Sequence, residues 1–188
     1  FILIYVDDVL TFCTKGSKLR DEWKEWFSSR YIWTDFGTDL HPFVGILIRH
    51  IDDVITLDMI DYTLACAAEA FPGGIHLEGR YSTPAATALA TVVQQTATTR
   101  DTSCAGTPIG KRFRRIVMQL LYLATSARPD IALAVGLLTR VQAWPSPDLL
   151  KRAERILIYA AATAKTVILT YRKGTDADVS LAWAPKVV

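Results

Sequence analysis

The stretch Ile4-Tyr5-Val6-Asp7-Asp8-Val9-Leu10 decides how this chain is read. Two β-rich apolar runs, Phe1–Val6 and Val9–Cys13, stand on either side of two adjacent carboxylates. That pattern predicts a tight β-hairpin with Asp7-Asp8 in its turn. Both flanks are apolar without clean alternation, so the hairpin is expected to be covered on both faces. Carboxylates desolvated side by side repel, and one takes up a proton unless a cation neutralises them. Two readings follow: a solvated acidic turn, or a rigid tip holding oxygen ligands for Mg²⁺ (or Mn²⁺), which can activate a hydroxyl and stabilise leaving pyrophosphate.

Working outward, the 188 residues suit one sizeable domain or two small ones, and 51% hydrophobic with 21% charged residues excludes wholesale disorder. The net charge of +2, from 21 basic against 19 acidic residues, excludes a polybasic tail and leaves only local patches for nucleic acid. No apolar run is long enough to span a membrane. Cys13, Cys66, Cys104 and His41, His50, His76 are scattered without metal-ligand spacing, which fits a reducing compartment better than a disulfide framework. The chain opens at Phe1 inside a strand-like run, as a piece cut from a longer protein would.

Ser17 is expected to cap a helix to about Arg30 with Leu19, Trp23, Trp26 and Phe27 on a buried face. Phe43–His50 and Val54–Leu57 read as a strand pair with Asp52-Asp53 in the turn. A helix from about Asp58 to Phe71 follows, with Ile60, Leu64, Ala67 and Phe71 on one side and Pro72-Gly73-Gly74 as its stop. From Thr83 to Thr107, 14 of 25 residues are Ala or Thr, which predicts a mobile linker and a domain boundary. Three helices come next: Lys111–Ser126 with Phe113, Val117, Leu120 and Leu121 inward; a second capped by Pro129-Asp130 with Ile131, Val135, Leu138 and Val141 on one face; and a third opened by Ser146-Pro147, running to about Ala162. Thr166–Arg172 reads as a strand. The fold class expected is α+β.

Tyr5-Val6-Asp7-Asp8 resembles the YxDD box of reverse transcriptases, palm motif C, and the chain around it is similar to the copia-type family of LTR-retrotransposon polyproteins. Phe36-Gly37 with Phe43-Val44-Gly45-Ile46 resembles that family's primer-grip segment; Ile55-Thr56-Leu57, Tyr62 and Phe71 resemble its thumb entry, and Thr83-Pro84 its "TP". Phe113-Arg114 with Val117, Leu120, Tyr122 and Leu123 tracks "YR..VG.L.YL", Arg128-Pro129-Asp130-Ile131 tracks "TRPDI", and Pro145, Arg155-Ile156-Leu157 and Tyr159 track "P…H…RIL.YL". Met118, Ala127 and Leu149 depart from it, standing where the family has Gly, Thr and His, and Ala160-Ala161-Ala162-Thr163 replaces "LKGT".

The resemblance implies an RNA-directed DNA polymerase fragment: end of palm over 1–57, thumb helix over 58–82, linker over 83–110, helical connection over 111–175, and a tail, 176–188, leading toward an RNase H domain. It implies Asp7 and Asp8 as catalytic metal ligands for Mg²⁺ or Mn²⁺, Phe43, Val44, Gly45 and Ile46 as primer grip, and Tyr5 and Val6 beside the primer terminus or nucleotide. The partners implied are an RNA or DNA template with a DNA primer, deoxynucleoside triphosphates, and the rest of the polyprotein (upstream palm and fingers, downstream RNase H). The location implied, where the parent element is active, is intracellular and cytoplasmic, in a virus-like particle, with no membrane. A further palm Asp lies upstream in the family, so the centre is incomplete in this chain, and a silent remnant of an element is the rival reading.

Lys111, Arg112, Arg114 and Arg115 form the densest basic cluster, open to two readings: contact with a nucleic-acid backbone, or a solvated helix start. Trp23 and Trp26 could stack on bases, but their helical spacing favours packing. Tyr5 is equally open to a strand-packing role.

Overall fold

The computed structural model describes residues 2–6, 8–11, 13, 17–35, 40–75 and 81–172. Asp7, Phe36-Gly37, His76 and the 176–188 tail, all used above, lie outside the described residues. The fold is mixed α and β, as expected. Two units are distinguished: Phe1–Leu57 with Thr170–Val188, and Asp58–Leu169.

In the first unit, β1 (Ile2–Tyr5) and β2 (Asp8–Thr11) pair antiparallel, with Tyr5 opposite Asp8 and Ile2 opposite Thr11. The hairpin is present, but with Tyr5 opposite Asp8 its second strand opens at Asp8, which the sequence reading had placed in the turn. Val6 takes a left-handed φ of 55°, the sign a primed two-residue turn demands of its first central residue. Asp8 thereby becomes a strand residue. The expectation of cover on both faces fails: Ile4 is 66% and Val6 86% exposed, and of the described hairpin residues only Leu10 is buried. A two-stranded ribbon has no second layer of its own to bury alternate side chains against.

The helix α1 (Lys18–Ser28) starts after Ser17, whose side chain makes no capping bond, and it buries none of its residues. The predicted inward face is therefore corrected: Leu19 and Trp26 are exposed and Trp23 and Phe27 half-buried. The rings pack on one another instead, Trp23 stacked on Phe27 at 4.9 Å and Trp33 edge-on to Phe27 at 5.7 Å, with Tyr31 4.8 Å from Phe27. The second sheet has the order β3 (Leu40–Phe43), β4 (Ile46–Ile51), β5 (Val54–Asp58), β6 (Leu169–Arg172). The 43–50 run, read as one strand, is broken by a turn at Val44-Gly45, both at positive φ (51° and 76°), which sets Phe43 opposite Ile46. Asp52-Asp53 do form the next turn, with Asp52 at φ 53°.

The second unit is helical: α2 (Ile60–Ala70), α3 (Leu89–Thr99), α4 (Pro108–Ser126), a 3₁₀ turn at Pro129–Ile131, α5 (Ala132–Thr139) and α6 (Pro147–Ala162). Thr107 accepts a hydrogen bond from the Gly110 N–H and Ser146 one from the Leu149 N–H, and each is followed by proline at the first helical position, so both helices begin with an orphan donor satisfied. Phe113, Ile116, Val117, Leu120 and Leu123 of α4 meet Ile131, Val135, Leu138 and Val141 and the Leu149, Ile156 and Leu157 side chains of α6 in a fully buried core. Each such side chain contributes about 1.5–3 kcal/mol through removal from water. Leu121, expected inward, is half-buried, and Ile116 takes that place.

Two further expectations are corrected. The α2 face turned inward is Thr63, Cys66, Ala67 and Ala70, while Leu64 is partly exposed; small side chains let α2 approach α6 closely. The stretch read as a linker holds α3, whose Leu89 and Val93, four apart on one face, are buried, and α3 packs against α5. Two anchors one helical turn apart hold an Ala/Thr segment whose other side chains add little. Among the described residues no helix is long and apolar enough to cross a membrane.

Candidate functional site

The β1–β2 and β3–β4 hairpins of the first unit meet at one carboxylate. Asp8 opens β2, half-buried, and its Oδ2 accepts a hydrogen bond from the backbone N–H of Val44 at 3.2 Å. Val44 is exposed to this role because the Val44-Gly45 turn holds both residues in the left-handed region. Glycine takes that conformation without penalty, whereas a β-branched valine is strained there. The acidic hairpin and the Phe43–Ile46 turn, singled out separately in the sequence, are thus tied to each other through a side chain and a main-chain donor.

Around this bond lies a cleft of about 780 Å³ lined by Val6, Asp8, Pro42 and Phe43 on one side and by the Trp23, Phe27 and Trp33 rings on the other. Lys24, also on its wall, is paired with Asp35. Tyr5 and Val6 are exposed at the tip, Phe43 and Ile46 are half-buried, and Gly45 is open to solvent. Among the described residues nothing else donates to Asp8, which leaves Oδ1 and a second lone pair on Oδ2 for other donors or for a hard cation. One carboxylate is a single ligand, and among the described residues no group of three His, Cys, Asp or Glu side chains comes together. The fit to a divalent ion therefore rests on Asp8 here and on Asp7, which lies outside the described residues.

The basic cluster belongs to the first turns of α4, in the second unit, and its charges are largely used within that unit. Arg112 pairs with Glu154 at 2.8 Å and donates to the Ala70 carbonyl at 2.7 Å. Arg115 pairs with Glu69 at 2.6 Å, Glu69 also receives the Gln119 amide at 2.8 Å, and Arg114 donates to the Ala105 carbonyl. Lys111 is exposed. The arginines bind α4 to α2, α6 and the preceding loop.

Sequence reasoning missed a buried arginine with a purely local signal. Arg128 is 4% exposed and grips both oxygens of Asp130 (Nε to Oδ1 2.9 Å, Nη2 to Oδ2 2.8 Å), the Ala160 carbonyl at 2.9 Å and the Thr163 hydroxyl at 2.7 Å. The Arg-Pro-Asp spacing hints at the fork, since proline fixes the turn between the partners. Nothing in the sequence announces Ala160 or Thr163. A second pair, Tyr62 and Cys66, is linked by a side-chain hydrogen bond; burial first, and the Cys66 thiol second, push the Tyr62 hydroxyl up to about 12, and burial raises Cys66 as well.

No family model matches the chain, and no solved structure matches it. The chain is 30% identical over 177 residues to a Saccharomyces cerevisiae protein named as transposon Ty5-1 protein YCL074W, covering 94% of this chain and 53% of that protein. The chain thus spans about half the length of this curated relative, and nearly all of its own length is similar to that transposon protein.

Proposed function

We propose that the chain is part of a copia-type retrotransposon reverse transcriptase: the end of a palm over 1–57, a thumb helix over 58–82 and a helical connection over 111–175. The observation that carries this is the Asp8–Val44 hydrogen bond, which joins the Tyr5-Val6-Asp7-Asp8 hairpin to the Phe43–Ile46 turn in one unit; the transposon relative along 94% of the chain supports it. The reaction is extension of a DNA 3′-hydroxyl on an RNA or DNA template by deoxynucleoside triphosphates, with release of pyrophosphate. Asp7 and Asp8 would hold Mg²⁺ or Mn²⁺, whose chemistry there is to lower the pKa of the attacking hydroxyl and neutralise the phosphates. Phe43, Val44, Gly45 and Ile46 hold the primer strand, and Tyr5 packs beside its terminus. A nucleic-acid backbone would meet Lys111, which has no ion-pair partner among the described residues, whereas Arg112, Arg114 and Arg115 are engaged in the fold.

The second reading, a catalytically silent remnant, is favoured by the departures at Met118, Ala127 and Leu149. Primer extension on a poly(rA) template separates the two. The chain alone is expected to be inactive with either cation, because Asp7 and Asp8 by themselves supply only part of the carboxylate set that two-metal chemistry uses. The product of a reading frame enlarged upstream is expected to extend the primer and to lose this with Asp7→Asn. Extension that survives Asp7→Asn, or none from the enlarged product, overturns the polymerase reading.

A further inference from the structure

The chain has three Ser/Thr-Pro dipeptides, Thr83-Pro84, Thr107-Pro108 and Ser146-Pro147. In two of them the hydroxyl is committed: Thr107 and Ser146 cap α4 and α6. Thr83 caps no helix. It is exposed in a bend, where its hydroxyl donates to the Ala85 carbonyl at 3.2 Å and lies 3.5 Å from Nη2 of Arg155, which also reaches the Thr83 carbonyl at 3.4 Å.

Arg155 is itself incompletely satisfied. Its guanidinium lies 4.2 Å from the Tyr81 ring centroid, and among the described residues its Nε, which is buried, has no hydrogen-bond partner and the group has no carboxylate at ion-pair distance. Of the other arginines in α4 and α6, Arg112, Arg115 and Arg152 are paired with Glu154, Glu69 and Asp148, and Arg114 donates to the Ala105 carbonyl. A half-buried cation with no carboxylate partner among the described residues thus touches the solvent-exposed Thr83 through two long, weak contacts, one to its hydroxyl and one to its carbonyl.

We propose that Thr83 is a phosphorylation site for a proline-directed kinase and that phosphothreonine 83 locks the 81–86 strap onto α6 through Arg155. In the step, the Thr83 Oγ attacks the γ-phosphorus of ATP, the β,γ-bridging P–O bond breaks with its electron pair leaving on ADP, and the hydroxyl proton passes to the kinase base. The product carries nearly two negative charges and three acceptor oxygens at neutral pH. A phosphate there replaces two contacts at 3.4 and 3.5 Å by charge-assisted bonds to the planar guanidinium fork. This stands whether or not the acidic hairpin binds metal.

The test treats the full chain with ATP and a purified proline-directed Ser/Thr kinase, maps phosphate by peptide mass spectrometry, and follows amide hydrogen exchange over 81–89. Phosphate is expected on Thr83, with Thr107 and Ser146 unmodified, and exchange over the strap is expected to slow about tenfold, the effect of a hydrogen bond to a charged group. In Arg155→Gln, phosphate is expected on Thr83 with no slowing, and in Arg155→Lys with a smaller one. Absence of phosphate from Thr83, unchanged exchange after modification, or equal slowing in Arg155→Gln each overturns the proposal.

Discussion

Arg128→Ala offers the sharpest test of how the helical unit is held. The side chain is 4% exposed and makes four hydrogen bonds, two to Asp130, one to the Ala160 carbonyl and one to Thr163, so it fastens the end of α4 to the end of α6 across 35 residues of chain. Truncation removes every one of these donors and leaves the Asp130 carboxylate, only 17% exposed, facing a void. Breaking a buried pair by deleting one partner costs about 3–5 kcal/mol. Because water reaches part of Asp130, the lower end applies, about 3 kcal/mol, a large share of the 5–15 kcal/mol that holds a typical domain together. For a unit of this size that is roughly 10–15 °C in thermal midpoint. Thermal unfolding of the full chain followed by far-UV circular dichroism reads mainly this unit, which carries five of the six α-helices among the described residues. Arg128→Lys, which keeps the charge and loses the fork, is expected to fall between. A midpoint for Arg128→Ala within about 3 °C of the parent refutes the reasoning, as does strict additivity of Arg128→Ala and Asp130→Ala in a double-mutant cycle.

Three further outcomes follow from local geometry. A Cβ at Gly110 would meet the Cys104 carbonyl oxygen at 2.2 Å, whereas one at Gly136 meets nothing within 4 Å; Gly136→Ala is therefore expected to gain about 0.5–1 kcal/mol in denaturant unfolding while Gly110→Ala loses stability despite the better helix former. Val44→Asn relieves a β-branched residue at φ 51° in a two-residue turn and keeps the N–H that Asp8 accepts, so amide exchange across β3 and β4 should slow about fivefold; faster exchange contradicts the assigned strain. Tyr62 has its hydroxyl raised from 10.0 to about 12 by burial and by Cys66, so between those values the unfolded chain sheds the proton first and stability falls as pH rises through that window. Tyr62→Phe should flatten this fall in urea titrations; an unchanged slope counts against it.

What the sequence determined by itself is the local chemistry. Ser146-Pro147 announces the start of α6, the Ile131, Val135, Leu138 and Val141 spacing marks the buried face after Pro129, and two apolar runs about an acidic pair require a hairpin, because capping, helical periodicity and strand propensity all act within a few residues. Tertiary structure decided the rest. Pairing register, not turn propensity, moved the bend to Val6 and made Asp8 a strand residue able to reach Val44, 36 positions away. Composition marked 83–110 as a linker, yet Leu89 and Val93 find a surface to bury against and hold a helix there. The arginines of α4 looked like a free basic patch until Glu69 and Glu154, more than 40 residues away along the chain, came within reach. Charge and apolarity are written residue by residue, but which partner satisfies them depends on distances that exist only once the chain has folded.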